Sequence, residues 1–127
     1  RGSDVRLSEA VYTASGGEEH FISYEVPETD SLVGYARLRL PGADGPQAAF
    51  VRELHVYGQL VPFSERSEGA WQHRGFGERL LAECERRAAE RGFGEVLVTS
   101  GVGARSYYRR LGYSGKGAYM SRVLAAG

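Results

Sequence analysis

The chain has 127 residues, with 16 Lys and Arg, 16 Asp and Glu, 42% hydrophobic residues and one cysteine, Cys84. A chain of this length can bury a core without disulfides or structural metal, and one cysteine excludes an internal disulfide and a cysteine-rich zinc or iron–sulfur site. No window approaches the roughly eighteen consecutive apolar residues of a membrane span. We therefore expect a single soluble, cytoplasmic domain over residues 1–127 with no membrane partner. Because the chain begins at Arg1 rather than Met, we expect it to be cut from a longer protein.

The first half of the chain predicts four half-buried strands, because apolar and polar residues alternate there with a period of two. The strands are expected over residues 5–12, 19–26, 32–40 and 49–57, with glycine and proline clusters between them. This half therefore predicts an antiparallel meander. His20 is expected to be exposed on its first hairpin.

The pattern changes after a loop over residues 58–72. Apolar residues then recur at helical spacing, which predicts an amphipathic helix that ends at Gly92 and whose Glu and Arg residues form ordinary surface pairs. A strand over 95–100, a short helix over 104–111 and a last strand over 119–124 follow. The order predicts an α+β fold in which a helix crosses between two parallel strands.

The segment from Gln72 to Gly77, with the sequence Gln-His-Arg-Gly-Phe-Gly, stands at the start of the amphipathic helix. Glycines let a backbone approach a ligand closely, and the unpaired N–H groups of a helix start favour a bound phosphate. This pattern predicts an anion site. Taken alone, however, the pattern favours an ordinary glycine-rich helix entry over an anion site.

Three segments carry a resemblance to a known family. The pattern Gln72-x-x-Gly75-x-Gly77 resembles the pyrophosphate-binding motif of the GNAT superfamily of acetyl-CoA-dependent acyltransferases. Together with residues 52–58 and 99–113, it is similar to the acetyltransferase domain of the Elongator catalytic subunit, the tRNA uridine acetyltransferase family. The resemblance implies a GNAT-type fold, a mixed and mostly antiparallel sheet with a β-α-β-α-β core that binds acetyl-CoA.

In that family the complete enzyme has a radical-SAM half, binds tRNA and uses acetyl-CoA to build a carboxymethyl group on the wobble uridine. The radical-SAM half requires a three-cysteine cluster motif, whereas this chain has only Cys84. The implied partners are therefore acetyl-CoA as substrate, tRNA, and a radical-SAM domain in the same or a partner chain. We expect no metal or iron–sulfur cluster in this chain, and no complete modification reaction from it alone.

The resemblance also implies which residues hold acetyl-CoA. The segment Gln72–Gly77 would bind the diphosphate, mostly through backbone N–H groups, while strand backbone would pair with the pantetheine arm as an added strand does. The thioester would lie beside two tyrosines. The implied cofactor-binding residues are Leu54, His55, Val56, Tyr57, Gln72, His73, Arg74, Gly75, Phe76, Gly77, Ser100, Tyr107 and Tyr108.

The implied catalytic residues are Tyr108, Tyr107, Glu53 and His55. Tyr108 matches the position where the superfamily often has a tyrosine near the CoA sulfur, so its phenol is expected to protonate the leaving thiolate; the alternative is a packed aromatic. Tyr107 is expected to pack or to contact substrate. Glu53, His55 and Tyr57 share one strand face, directed to where an acceptor would lie, so any of the three could be a base. For Glu53 and His55 the favoured alternative is a satisfied polar pair at a strand end.

Arg105, Arg109, Arg110 and Lys116 lie among tyrosines in the last third of the chain, a composition suited to phosphates and splayed bases. The alternative is a solvated helix face over core aromatics. Two other functions also remain open: a GNAT N-acetyltransferase acting on a lysine or small amine, and a non-catalytic module that binds tRNA or a partner.

Overall fold

The computed structural model describes residues 5–57, 75–100 and 102–124. Its elements follow in chain order, with two short 3-10 turns at Pro27–Thr29 and Val102–Ala104. The strands and helices are β1 (Arg6–Ala14), β2 (Gly17–Val26), β3 (Ser31–Leu40), β4 (Ala49–Val56), α1 (Phe76–Glu90), β5 (Glu95–Thr99), α2 (Arg105–Arg110), β6 (Ser114–Lys116) and β7 (Tyr119–Val123).

The strands form one seven-stranded sheet in the order β1-β2-β3-β4-β5-β7-β6. All neighbours are antiparallel except β4 and β5, which are parallel and are joined through α1. A parallel pair requires a crossover of this kind, because the chain must return to the starting edge of the sheet. The predicted mixed, mostly antiparallel sheet with a β-α-β-α-β core is therefore confirmed.

One face of the sheet, the helix face, holds the core. Alternate residues of β2, β3 and β4 are buried there against the apolar stripe of α1, and α2 adds Tyr108 to the same cluster. Gly34 of β3 lies close under this helix, since a Cβ at Gly34 would stand 3.3 Å from Leu80 Cδ1. Neither described helix packs on the opposite face, which we call the open face.

His20 is buried, contrary to the expectation that it is exposed. It lies on the helix face and is only 2% exposed, with Nδ1 2.8 Å from Glu9 Oε2 and Nε2 3.0 Å from Glu18 Oε1. The expectation was wrong because His20 lies two residues before the core residue Ile22 on β2 and therefore points to the same face. Its two ring nitrogens are hydrogen-bonded to carboxylates from two strands, so the ring can be buried there.

Arg87 is also buried, so the expectation of ordinary surface pairs along α1 is wrong at this position. Its Nε donates to Glu9 Oε2 at 2.6 Å and its Nη2 to Glu9 Oε1 at 2.9 Å, a two-pronged contact between α1 and β1. Arg86, by contrast, forms the expected exposed pairs with Glu83 and Glu90. The fork of Arg87 therefore fastens the carboxyl half of the helix to the edge of the sheet.

Strand β6 was not predicted, because Ser114, Gly115 and Lys116 contain no apolar residue and are all exposed. The other strands match their predictions to within about two residues, the usual uncertainty at element ends. Within the described residues, no helix is both long enough and apolar enough to cross a membrane.

Candidate active site

Strands β4 and β5 separate after three paired positions. Ala49, Phe50 and Val51 pair with Val96, Leu97 and Val98, and β4 then continues beside β3 alone. A bulge lies at the point of separation: Glu53 pairs with Arg37 and Val51 with Leu38, so Arg52, directly after the last residue paired with β5, is the additional residue. Bulges bend and twist a strand, which accounts for the divergence of β4 from its parallel neighbour.

The separation opens a cleft of about 390 Å³ on the helix face. Three parts of the chain line it: the end of β4, the start of α1, and the short helix α2 with the turn before it. The lining residues are Leu54, Val56, Gly75, Gly77, Ala104, Tyr107 and Tyr108. The structure thus brings six of the predicted cofactor residues together around one opening, and Ala104 adds a wall that the sequence analysis missed.

The backbone of β4 is available along this cleft. Tyr57 N–H donates to Val33 O at 2.9 Å, so the odd residues after the bulge bond to β3. Because strand amides alternate in direction, the N–H and C=O groups of Leu54 and Val56 are directed to the side that β5 has left. An extended chain with amides, such as a pantetheine arm, can pair with such an edge.

The amino end of α1 meets the cleft at Gly75 and Gly77. Gly75 is the residue before the helix and has φ +80°, a left-handed conformation that glycine adopts without strain, and its C=O accepts from Arg79 N–H at 2.9 Å. Among the described residues no side chain caps this end, so none of them competes with an anion for the first N–H groups of α1. Gln72, His73 and Arg74 lie outside the described residues.

Gly77 is constrained by space rather than by φ. A Cβ at this position would collide with the hydroxyl of Tyr107, while Val56 Cγ2 would stand at 3.6 Å. Phe76 next to it is buried against Tyr24, with ring centroids 5.2 Å apart, and does not line the cleft. Arg79, one turn into α1, places its guanidinium 4.7 Å from the Phe76 ring, a cation near the helix start that the sequence analysis assigned only to surface pairing.

Tyr108 provides a protonated phenol at the cleft. It is 6% exposed, its ring meets that of Tyr107 edge-on at 5.2 Å, and burial raises its pKa to about 12. Its hydroxyl makes no hydrogen bond with a described residue. The phenol therefore keeps its proton at neutral pH, and no described residue competes for it, so it is available to donate to a group in the cleft. The pKa of Tyr107 is also raised, first by burial and then by the charge of Glu78.

Glu53, His55 and Tyr57 lie together on the open face, on the opposite side of β4 from the cleft. The rings of His55 and Tyr57 are 4.5 Å apart, and both approach Tyr35 of β3. Tyr35 Oη donates to Glu53 Oε2 at 2.7 Å, and this hydrogen bond raises the pKa of Tyr35. The side chains of His55 and Tyr57 therefore stay outside the cleft, and only their backbone belongs to the strand beside it.

The four residues predicted to contact nucleic acid are spread over α2 and β6. Arg105 donates to Gly117 O at 3.1 Å, and Lys116 Nζ lies 2.8 Å from Glu95 Oε2. Arg109 and Arg110 are exposed, the latter 5.8 Å above the Tyr107 ring. Two of the four cations are thus already bonded within the chain.

The remaining residues of interest have simple environments. Ser100 follows β5 and is half-buried. Cys84 is fully buried in α1, and burial raises the pKa of its thiol to about 12, so it is a core residue rather than a nucleophile. Among the described residues, no group of three or more His, Cys, Asp or Glu side chains is arranged to hold a metal ion.

The divergent parallel strands, the helix start beside them and the buried tyrosine are features of an acyltransferase fold. The model of the Acetyltransferase (GNAT) family matches residues 3–113, and the chain belongs to this family. Among solved structures, Tetrahymena GCN5 shares the fold at 16% identity and a TM-score of 0.61, covering 90% of this chain and 72% of that one.

Within the family, the chain is similar to Elongator proteins, which confirms the resemblance found in its sequence. It is 46% identical over 131 residues to Elongator complex protein 3 of Homo sapiens, covering 98% of this chain and 24% of that protein. It is 45% identical over 127 residues to the tRNA uridine(34) acetyltransferase of Methanocaldococcus jannaschii, covering 94% and 24%. The structure of Elp3 from Methanocaldococcus infernus matches with a TM-score of 0.80 at 41% identity, over 96% of this chain and 31% of that one. The chain spans about a quarter of the length of these curated relatives.

Proposed function

We propose that this chain is the acetyl-CoA-binding domain of a tRNA wobble-uridine acetyltransferase. The single observation that carries the proposal is the 45% identity to a tRNA uridine(34) acetyltransferase over 94% of this chain. The cleft between β4 and β5 supports it, because the cleft offers strand backbone, a helix start and a buried phenol in one place. A radical-SAM domain of the same or a partner chain would complete the modification in the cytoplasm.

The proposed roles follow from the positions of the residues. The start of α1 at Gly75 and Gly77, together with residues 72–74, binds the diphosphate, and the backbone of Leu54 and Val56 pairs with the pantetheine amides. Tyr108 donates its proton to the CoA thiolate when the thioester is cleaved. Glu53 is held by Tyr35 and exposed to solvent on the open face, where it can accept a proton from an incoming water or acceptor.

A direct amine N-acetyltransferase shares every one of these cofactor contacts and differs in the acceptor alone. The test is a calorimetric titration of acetyl-CoA followed by release of free thiol with tRNA, with lysine peptides or with neither. Release stimulated by tRNA in the absence of amine supports the proposal. Release that requires an amine and ignores tRNA would replace it with the N-acetyltransferase, and binding of tRNA without acetyl-CoA would indicate a non-catalytic module.

A further inference from the structure

A second opening lies on the open face of the sheet, away from the acyl-CoA cleft. Its volume is about 700 Å³, within the range of roughly 300–1,000 Å³ typical of small-molecule sites. Residues from β3, β4, β5 and β7 form its floor, and the tip of the first hairpin and residues 41–46 form its rim. None of the residues predicted from the sequence to bind cofactor or RNA lines it.

Hydrogen bonds and close backbone packing hold the rim of this opening in place. Arg39 fastens the hairpin tip, with its guanidinium donating to Ala14 O at 2.6 Å and to Ser15 O at 3.1 Å, and it also pairs with Glu19 at 3.0 Å. Gly42 lies so close to the carbonyl oxygen of Gly16 that a Cβ would collide with it. Packed backbone at both sides gives the opening a fixed shape.

Arg52 supplies a cation that is not neutralised within the described part of the chain. It is the additional residue of the β4 bulge, it is exposed, and it makes no hydrogen bond or ion pair with a described residue. Most of the described arginines have a hydrogen bond or an ion pair within the chain, as Arg39 and Arg87 do. A guanidinium left free at the wall of a shaped opening is suited to a phosphate group.

Two aromatic rings stand beside this cation. Phe50 of β4 and Tyr119 of β7 meet edge-on with centroids 5.9 Å apart, and Tyr119 is 36% exposed. Thr99 of β5, which pairs with Tyr119, also lines the opening and adds a hydroxyl. An aromatic wall with a neighbouring arginine is the combination by which proteins hold an unstacked base and its phosphate.

We propose that this opening binds one nucleotide of a single-stranded RNA, with the base against Phe50 and Tyr119 and the phosphate at Arg52. The assignment to RNA, rather than to another aromatic anion, rests on the proposed function. It places the RNA on the open face, where Glu53 and His55 also lie on β4, instead of on the arginines of α2. The acyl-CoA cleft and the RNA would then share one strand from opposite faces.

The test measures binding of a short fluorescein-labelled oligouridylate to the 127-residue chain by anisotropy at several salt concentrations. Arg52→Gln should weaken binding about tenfold and reduce the salt slope by about one, because one phosphate contact is lost. Tyr119→Leu should weaken binding by a similar factor with the slope unchanged, because base stacking does not release counterions.

Two control variants separate this opening from general charge effects. Arg122→Gln removes the same charge from β7, but Arg122 is on the helix face beside Glu85 and Leu111 O, so oligouridylate affinity should stay within about twofold. Asp44→Asn removes the acidic group of the rim and should leave affinity unchanged or raise it, because it repels phosphate.

Several outcomes would overturn the proposal. These are an absence of oligouridylate binding by the unmodified chain, an affinity in Arg52→Gln and Tyr119→Leu equal to that of the unmodified chain, or a loss confined to Arg109→Gln and Arg110→Gln. Variants of the opening that keep RNA affinity but lose association with a radical-SAM domain would identify a protein interface instead. Acetyl-CoA titration of the same samples tests the proposed function separately, since none of these residues lines the acyl-CoA cleft.

Discussion

The hydroxyl of Tyr107 occupies the space in which a Cβ at Gly77 would lie. The contact joins the start of α1 to α2 across the cleft beside β4, so the width of the cleft depends on a glycine in one helix and a tyrosine in the other. Gly77 is therefore required for a steric reason, in contrast to Gly75, which is required for its left-handed backbone.

We expect Gly77→Ala to displace Tyr107, to lower the free energy of unfolding by about 1–3 kcal/mol and to weaken acetyl-CoA binding, as overpacking does. The double variant Gly77→Ala with Tyr107→Phe should recover most of both losses, because the remaining ring carbon Cζ would stand at an ordinary 3.5 Å from the new methyl group. Thermal unfolding and acetyl-CoA calorimetry measure the two effects. A double variant no better than Gly77→Ala would show that the clash is not with the hydroxyl.

Gly75→Glu should abolish measurable acetyl-CoA binding, because it places a carboxylate where the diphosphate is expected. Gly92→Glu is the matched control, since Gly92 also has a positive φ and open space around it but follows the carboxyl end of α1. Both substitutions should cost about 1 kcal/mol of stability through backbone strain. Calorimetric titration of acetyl-CoA into both variants tests this prediction. Equal acetyl-CoA affinities of the two variants would show that the diphosphate does not bind at this helix start.

Much of the fold could be predicted from the sequence, because its signals are local. Alternation located β2 and β3, and helical spacing located α1. His20 and Arg87 were misplaced because their burial depends on Glu9, which is distant in sequence from Arg87 and reaches it only through the sheet. The periodicity of a single strand or helix does not indicate which polar side chain of another element will lie next to it.

The sequence predicted the glycine motif and the tyrosine of the candidate site, but not the residues that other strands bring next to β4. The helix start at Gly75 and Gly77 follows from a local pattern, and Tyr108 from the family resemblance. Tyr35 and Arg52 were missed because their importance arises from register: Tyr35 lies opposite His55, and Arg52 is the bulge residue. The position of a bulge depends on the pairing of two strands, which a single strand's sequence does not specify.

Tyr108→Phe should leave acetyl-CoA affinity within about twofold and slow thioester cleavage by about a hundredfold, because the general acid is lost while the ring remains. Since burial raises the pKa of Tyr108 to about 12, the phenol is protonated throughout the neutral range. The ratio of the cleavage rates of the unmodified chain and Tyr108→Phe should therefore not change with pH in that range. Free-thiol release as a function of pH gives the measurement.

Tyr113→Phe is the control for that experiment. Tyr113 is equally buried and its hydroxyl donates to Glu85 at 2.6 Å, away from the cleft lining. Its loss should cost about 1–2 kcal/mol of stability and leave the rate of cleavage unchanged. If Tyr108→Phe cleaves the thioester as fast as the unmodified chain, Tyr108 is a packing residue.

Glu9 should control the acid stability of the chain. The hydrogen bond from Arg87 holds the pKa of Glu9 at about 2, below its ordinary 4.5, so its contribution to stability is complete above about 4.5 and is lost as the pH falls toward 2. Glu9→Gln should lower the free energy of unfolding at neutral pH by about 3 kcal/mol, because Arg87 stays buried without its charged partner. It should also weaken the dependence of this free energy on pH between about 4.5 and 2.

Denaturant unfolding at a series of pH values tests the role of Glu9. Glu90→Gln serves as the control, because Glu90 pairs with Arg86 at the exposed surface and should change stability by less than about 1 kcal/mol. A Glu9→Gln variant with the stability and acid profile of the unmodified chain would mean that the contact between α1 and β1 is not formed in solution.

The most direct test of the proposed function, acetyl-CoA binding and cleavage in the service of tRNA modification, is the titration of acetyl-CoA into the 127-residue chain, with free thiol measured in the same samples with and without tRNA. We expect one-to-one binding that Gly75→Glu abolishes, and thioester cleavage that tRNA accelerates and Tyr108→Phe slows. Acetyl-CoA binding that is unaffected by Gly75→Glu, or cleavage that proceeds only with an added amine, would contradict it.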